Sequence, residues 1–305
     1  MPASVVLCSA GYDHTIRFWE APTGLCYRSL QYDDSQINRL RITPDKQYIA
    51  AAANPHVKLF EINAKNPNPL RSFEGHSGNV TALGFQKDNK WMFTASEDAS
   101  VKIWDVRAAG CQRDYESNAP INDAVLHPNQ GEIFSGDLDG NVGVWDLTAN
   151  SCSHQLVPDG KTPIRSVTIA SDGSIVVAAN NRGTIFVWKT KNGAQFEPVH
   201  KIDAHSTYCL KCVLSPDCKY LATTSADKTI KLWSVQDGFS LYKTLEGHTR
   251  WVWDVAWSAD SAYVVSASSD KTAKLWEVST GEAILEYTGH HKAVTSVALN
   301  DSSSE

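Results

Sequence analysis

Short runs of aromatic, β-branched and small apolar residues, broken by Pro, Asp, Gly and Ser, succeed one another along the whole chain. The segments ITPDKQYIAAA (42–52), LSPDCKYLATTS (214–225) and WSADSAYVVSAS (257–268) share one plan. Each reads as the end of a strand, a Pro-Asp or Ala-Asp turn, and a second strand. Apolar residues recurring at three and four positions, which would mark an amphipathic helix, are absent. The pattern predicts an all-β chain of many short strands.

The strands repeat. TIRFWE, HVKLFEI, SVKIWDV, NVGVWDL, GTIFVWK, TIKLWSV and TAKLWEV align on one aromatic: Trp19, Phe60, Trp104, Trp145, Trp188, Trp233 and Trp276. Successive gaps are 41, 44, 41, 43, 45 and 43 residues. That period, with Trp-Asp-like dipeptides and upstream Gly-His pairs, is the signature of a seven-bladed WD40 β-propeller, one four-stranded blade per repeat. The predicted blades are 31–74, 75–116, 117–157, 158–203, 204–246 and 247–289, with a seventh built from 1–30 plus 290–299. Residues 300–305, which end in the polar string DSSSE, are expected to be a disordered tail.

A second set of residues predicts what holds each blade together. Six residues before the marker lie Asp13, Asp98, Asp139, Asp227 and Asp270, with Asn54 and Arg182 in the two irregular repeats. Two residues earlier come Ser96, Ser225 and Ser268, and the preceding loops supply His76, His205, His248 and His290. An indole N–H, a hydroxyl, an imidazole and a carboxylate can satisfy one another when buried. The expected quartets are His76, Ser96, Asp98, Trp104; His205, Ser225, Asp227, Trp233; and His248, Ser268, Asp270, Trp276. His290 has no Asp or Trp after it, and Asp13 and Trp19 have no His before them. If these three share a blade, the last strand closes a sheet begun by the first residues, which removes most open sheet edges.

Other chemistry finds little support. A Ser, His and Asp in one network resemble a hydrolase triad, but a group fixed at constant offset from a core Trp lacks the exposure and oxyanion site a nucleophile needs. His205, Cys209, Cys212 and Cys218 carry spacings suggestive of zinc, yet the repeat assigns His205 to a quartet, Cys209 to an apolar strand position and Cys218 to the next turn. No Gly-rich phosphate loop precedes a helix. The reading is of a protein that is not an enzyme and needs no metal, cofactor or small-molecule substrate. Net charge is −6 with no Lys/Arg block, so phosphate-backbone binding has no electrostatic footprint and nucleic acid is not expected as a partner. No signal peptide or membrane-length apolar run is present, and seven scattered cysteines suit reduced thiols. A soluble, intracellular chain that does not insert directly into membrane is expected.

The innermost strands align on Ile37, Val80, Ile121, Ile164, Cys209, Val252 and Val294. Residues just before are Gln36, Asn79, Pro120, Pro163, Tyr208, Trp251 and Ala293; residues just after are Asn38, Thr81, Asn122, Arg165, Leu210, Trp253 and Thr295. These positions surround the channel at one end of the ring. Of ten tryptophans, six are blade markers, Trp257 and Trp91 belong to strands, and only Trp251 and Trp253 stand on this rim. One reading makes them gap-fillers between blades. The other makes them the centre of a binding surface, with Gln36, Tyr208, Asn38, Asn79 and Tyr12 on the same face. Two such aromatics can bury ~150–250 Å² each, and truncation would cost ~2 kcal/mol or more of affinity.

Several strings go beyond what a generic repeat requires: DSQIN (34–38), NAPIN with HPNQ (118–130) and WVWDVAWS (251–258). With AGYDHTIRFWEA (10–21), SASSDKTAKLWEVSTGE (266–282) and GHHKAV (289–294), they make the chain resemble the family of small WD proteins called lethal with SEC thirteen, protein eight, which accompanies the target-of-rapamycin (TOR) kinase. That resemblance implies a noncatalytic subunit shared by TOR complexes 1 and 2. It implies docking on the C-terminal lobe of the TOR kinase catalytic domain alongside other complex subunits, and support of the kinase's active conformation. It also implies roles in nutrient-responsive growth and actin organisation, and a cytoplasmic location, with peripheral placement on endomembranes or the vacuole or lysosome through the complex. The family's kinase-facing residues carry over to Gln36, Trp251 and Trp253. The alternative is a WD-repeat scaffold or the substrate receptor of another complex such as a ubiquitin ligase, since propellers serve many assemblies.

Overall fold

The computed structural model describes residues 5–33, 35–108, 110–191 and 195–302. Within them, twenty-eight strands form seven four-stranded antiparallel sheets, the blades of a closed propeller. Blades 2 to 7 run from the channel outward in chain order, with innermost strands Arg39–Ile42, Val80–Phe85, Ile121–Leu126, Ile164–Ile169, Cys209–Leu214 and Val252–Trp257. Blade 1 is composite. Its innermost strand is the last of the chain, Val294–Asn300, paired antiparallel with Val6–Gly11 from Val6↔Asn300 to Gly11↔Val294. The latch expected from His290, Asp13 and Trp19 is therefore present. Asn300 ends that strand, the Asp301 carboxylate accepts from the Ala259 N–H at 2.8 Å, and 303–305 lie outside the described residues.

Seven apolar clusters hold the ring, one between each pair of neighbouring blades. The marker aromatics explain this arrangement. Trp104 of blade 3 joins Phe73, Leu59 and Val57 of blade 2, and Trp19 of blade 1 meets Tyr287 of blade 7 at 5.6 Å between ring centroids. Each blade contributes one face to each neighbour, so inner strands such as Val6–Gly11, Trp91–Ser96 and Ile175–Asn180 are buried on both faces and read as near-continuous apolar runs, while outermost strands such as Cys111–Glu116 and Ser151–Leu156 are largely exposed. Gly75 and Gly247, the glycines of Gly-His pairs, adopt φ of +151° and +153°, and a Cβ there would stand 3.1 and 3.2 Å from the indoles of Trp104 and Trp276. Only glycine lets the chain pass over the marker at that distance.

The quartets form, with one correction. The hydroxyl that meets the indole lies ten residues before the marker, not eight. Trp104 Nε1 donates to Thr94 (2.8 Å), Trp233 to Thr223 (2.9 Å), Trp276 to Ser266 (2.8 Å) and Trp19 to Ser9 (2.7 Å). The same hydroxyls meet Nε2 of His76, His205, His248 and His290 at 2.7–2.9 Å, while Nδ1 of each imidazole meets Asp98, Asp227, Asp270 and Asp13 at 2.7–2.8 Å. Ser96, Ser225 and Ser268 instead accept the backbone N–H of Asp98, Asp227 and Asp270 in the adjoining turn. The two-residue period of a strand puts both candidate positions on one face, but register decides between them. Trp104 pairs with Met92, which leaves Thr94 one step away and Ser96 two. Asp139 is exposed and joins no quartet.

Candidate functional site

The innermost strands all begin at one end of the channel, and their first residues build its rim. In blades 1 to 4 the residue after the buried anchor reaches across to the next blade. Thr295 donates to Ile37 O (2.6 Å), Asn38 to Val80 O (3.3 Å), Thr81 to Ile121 O (2.8 Å) and Asn122 to Ile164 O (2.6 Å). Such clasps satisfy carbonyls on the innermost, otherwise unpaired strand edges. Blades 6 and 7 break the series with Leu210 and Trp253.

The rim is therefore different in character there. Trp251 is 41% exposed and Tyr208 45% exposed. Their rings meet edge to face at 6.1 Å, and Trp251 and Trp253 lie 5.5 Å apart at an interplanar angle of 54°. Trp253 is half-buried, and its Nε1 donates to Ser269 Oγ at 2.6 Å. The Ser269 N–H in turn donates to Trp251 O, so the Ser268–Lys271 turn of the same blade holds both tryptophans. The remaining expected residues extend this cluster around the mouth. Tyr12 is tied to blade 1 through its N–H to Ala293 O (2.9 Å). Tyr12, Asn38, Asn79 and Trp253 share the walls of a cavity of about 270 Å³. Gln36 is exposed but sits on blade 2, separated from Trp251 by the composite blade 1. Asn38 and Asn79 have engaged amides, on Val80 O and Glu97 respectively. The unencumbered apolar surface is the triad Tyr208, Trp251 and Trp253.

Beneath the rim lies a feature the sequence reading missed. Two residues after each anchor the chain bears Arg39, Ala82, Asp123, Ser166, Lys211, Asp254 and Ser296, and in most blades the ladder shifts register at this step. Their side chains converge. Arg39 bridges Asp254 at 3.1 Å and Asp123 at 3.7 Å, and Lys211 reaches Asp123 at 2.6 Å. Ser166 donates to Asp123 and Ser296 to Asp254, each at 2.7 Å. Burial would push the Asp123 carboxyl up, but Lys211 and Arg39 outweigh it and hold the group below its usual value. This ring spans blades 1, 2, 4, 5, 6 and 7 and ties opposite sides of the channel beneath the aromatic rim. The signal was in the repeat alignment: an apolar strand that carries two acids and two bases in one column needs them to meet.

Among the described residues no three His, Cys, Asp or Glu side chains converge as metal ligands, and no helix is long and apolar enough to cross a membrane. Cys209 and Cys212 are buried in the interface of blades 5 and 6, and Cys218 faces Ser171 at 3.1 Å.

Comparison with known proteins agrees with this geometry. The family model "WD domain, G-beta repeat" matches residues 67–105, 110–146, 150–189, 196–234 and 239–277. The chain is 55% identical over 302 residues to target of rapamycin complex subunit wat1 of Schizosaccharomyces pombe, covering 98% of this chain and 96% of the relative. It is 55% identical to target of rapamycin complex subunit LST8 of Saccharomyces cerevisiae over 98% of this chain and 99% of the relative, and 58% identical to subunit LST8-1 of Arabidopsis thaliana over 81% and 82%. Identity above half to these subunits over nearly the whole length, together with the WD-repeat match, places this chain in the LST8 family of WD-repeat proteins.

Proposed function

We propose that the chain is a noncatalytic subunit of target of rapamycin complexes and that Tyr208, Trp251 and Trp253 form the centre of its contact with the kinase catalytic domain. The observation that carries this reading is the aromatic triad, with Tyr208 and Trp251 exposed and Trp253 half-buried behind them, in a chain whose relatives are named as subunits of those complexes. A large aromatic at a partner surface supplies contact area at low conformational cost, because its ring is already fixed by its neighbours. Trp253 is fixed by Ser269, and Trp251 is wedged between Trp253 and Tyr208. Gln36, Asn38, Asn79 and Tyr12 supply the polar margin around the channel mouth, where hydrogen bonds to a partner fix orientation more than affinity.

The docking element would be a helix or loop of the kinase's C-terminal lobe. A rigid ring held against that lobe favours the conformation it fits, which is how a subunit without catalytic groups supports an active kinase. Serving both complexes, it would act in nutrient-responsive growth and actin organisation, from the cytoplasm and, through the complex, at endomembranes or the vacuole or lysosome. The test is tagged purification from cells, comparing wild type with a Trp251→Ala/Trp253→Ala variant shown to fold by circular dichroism and melting. Recovery of the kinase by wild type and its loss from the folded variant are expected. Kinase retained by the variant would move the interface elsewhere, and absence of kinase from wild type would overturn the assignment.

A further inference from the structure

Blade 4 lacks two side chains that other blades use to fill the space beside the marker. Twenty-eight residues before the marker stand His76, His205 and His248, and His290 takes the same place in blade 1; blade 2 has Tyr32 there, and blade 4 has Ser117. Two residues before the marker five blades have a long cation, Arg17, Lys58, Lys102, Lys231 and Lys274, whereas blade 4 has Gly143. The result is a cavity of about 330 Å³ whose walls include Ser117, Ser135, Asp137, Asn141, Gly143 and Trp145. Four of these, Ser135, Asn141, Gly143 and Trp145, occupy the positions that Thr94, Ser100, Lys102 and Trp104 hold around His76. The cavity is the seat of a missing histidine.

Hydrogen bonding says what would fit. In the four complete blades the hydroxyl accepts the indole N–H and meets His Nε2 as well. Ser135 is 2% exposed and accepts from Trp145 Nε1 at 2.8 Å, but among the described residues its own hydrogen finds no acceptor. A ring nitrogen bearing a lone pair supplies that acceptor; an ammonium or guanidinium has none to offer. The second ring nitrogen of an imidazole would then donate, and the carboxylates of Asp137 and Glu116 line the same cavity. We infer that this seat binds an imidazole group, supplied by a histidine side chain of a partner protein, which completes in trans the network that four other blades complete in cis.

The indole N–H resonance of Trp145 in the full-length ¹⁵N-labelled chain reads occupancy directly. At a pH above the imidazole range, titration with 4-methylimidazole should shift it saturably while Trp104 and Trp276, whose seats are filled, stay still. N-acetyl-histidine methylamide should produce the same shift. Ser117→His should move the Trp145 resonance without added probe and abolish the response, and Ser117→Tyr, which copies blade 2, should abolish it too. A wild-type shift that is absent, unsaturable or shared by all indoles overturns the seat, as does a response that survives in either folded variant. Binding of 4-methylimidazole without binding of the histidine amide overturns its assignment to a protein side chain.

Discussion

Replacing Arg39 with Met tests the ionic ring in the channel. Among the described residues Arg39 is the one cation that touches both buried carboxylates, at 3.1 Å from Asp254 and 3.7 Å from Asp123. Met keeps much of the aliphatic volume and removes only the charge and its donors. Asp123 would retain Lys211, but Asp254 would be left with Ser296 Oγ, the Val255 and Val297 N–H groups and no cation within ion-pair distance among the described residues. Removing one partner of a buried pair costs about 3–5 kcal/mol, mostly as the cost of the charge left behind. With an unfolding entropy of about 2.1 cal/mol/K per residue, 305 residues give about 0.64 kcal/mol/K, so the melting temperature should fall by about 5–8 °C. Thermal melting followed by circular dichroism at neutral pH reads this. Adding Asp254→Asn should recover at least half of the loss, because the stranded charge is gone. A shift of under about 1 °C for Arg39→Met, or a double variant less stable than the single one, would refute the ring as a stabilising tie.

Two further predictions concern the quartets. Thr94→Ala leaves Trp104 Nε1 and His76 Nε2 without their shared partner and should cost about 2–4 kcal/mol, whereas Ser96→Ala, which loses a turn bond, should cost about 1 kcal/mol; urea unfolding of the two variants decides the order. Burial alone would raise the Asp98 carboxyl, but bonds from Ser100, the Ser77 N–H and His76 outweigh it and bring it down to about 2. A carboxylate lowered on folding stabilises above its unfolded value, about 3.9, and loses that contribution as pH falls through the folded value. Asp13, Asp227 and Asp270 are held well below the usual range in the same way: His290, His205 and His248 overcome the burial penalty. Melting temperature should therefore fall steeply between about pH 4 and pH 2, and Asp98→Asn should flatten part of that fall.

The ring was legible because its period is covalent. A marker aromatic every 41 to 45 residues counts blades without reference to any contact, and the unmatched His290, Asp13 and Trp19 gave the closure. The hydroxyl of each quartet was not legible, because positions eight and ten before the marker share a face and only the ladder register separates Ser96 from Thr94. The channel ring was missed for a different reason. Its members lie on six blades, far apart in sequence, and meet only because the blades close around one axis. On the rim, the oddity of Trp251 and Trp253 was visible by comparing repeats. What sequence could not supply was that Asn38 is spent on an inter-blade clasp and that Tyr208 touches Trp251.

Hydrogen exchange of the propeller, free and bound to the TOR kinase, tests most directly whether the aromatic rim is the docking surface. The account predicts protection on binding at residues 206–210 and 249–253, with weaker protection at 35–38, and no change along the outermost strands such as Cys111–Glu116 and Ser151–Leu156. Protection confined to the outer strands or to the opposite mouth of the channel, with the turns around Tyr208 and Trp251 unchanged, would contradict it.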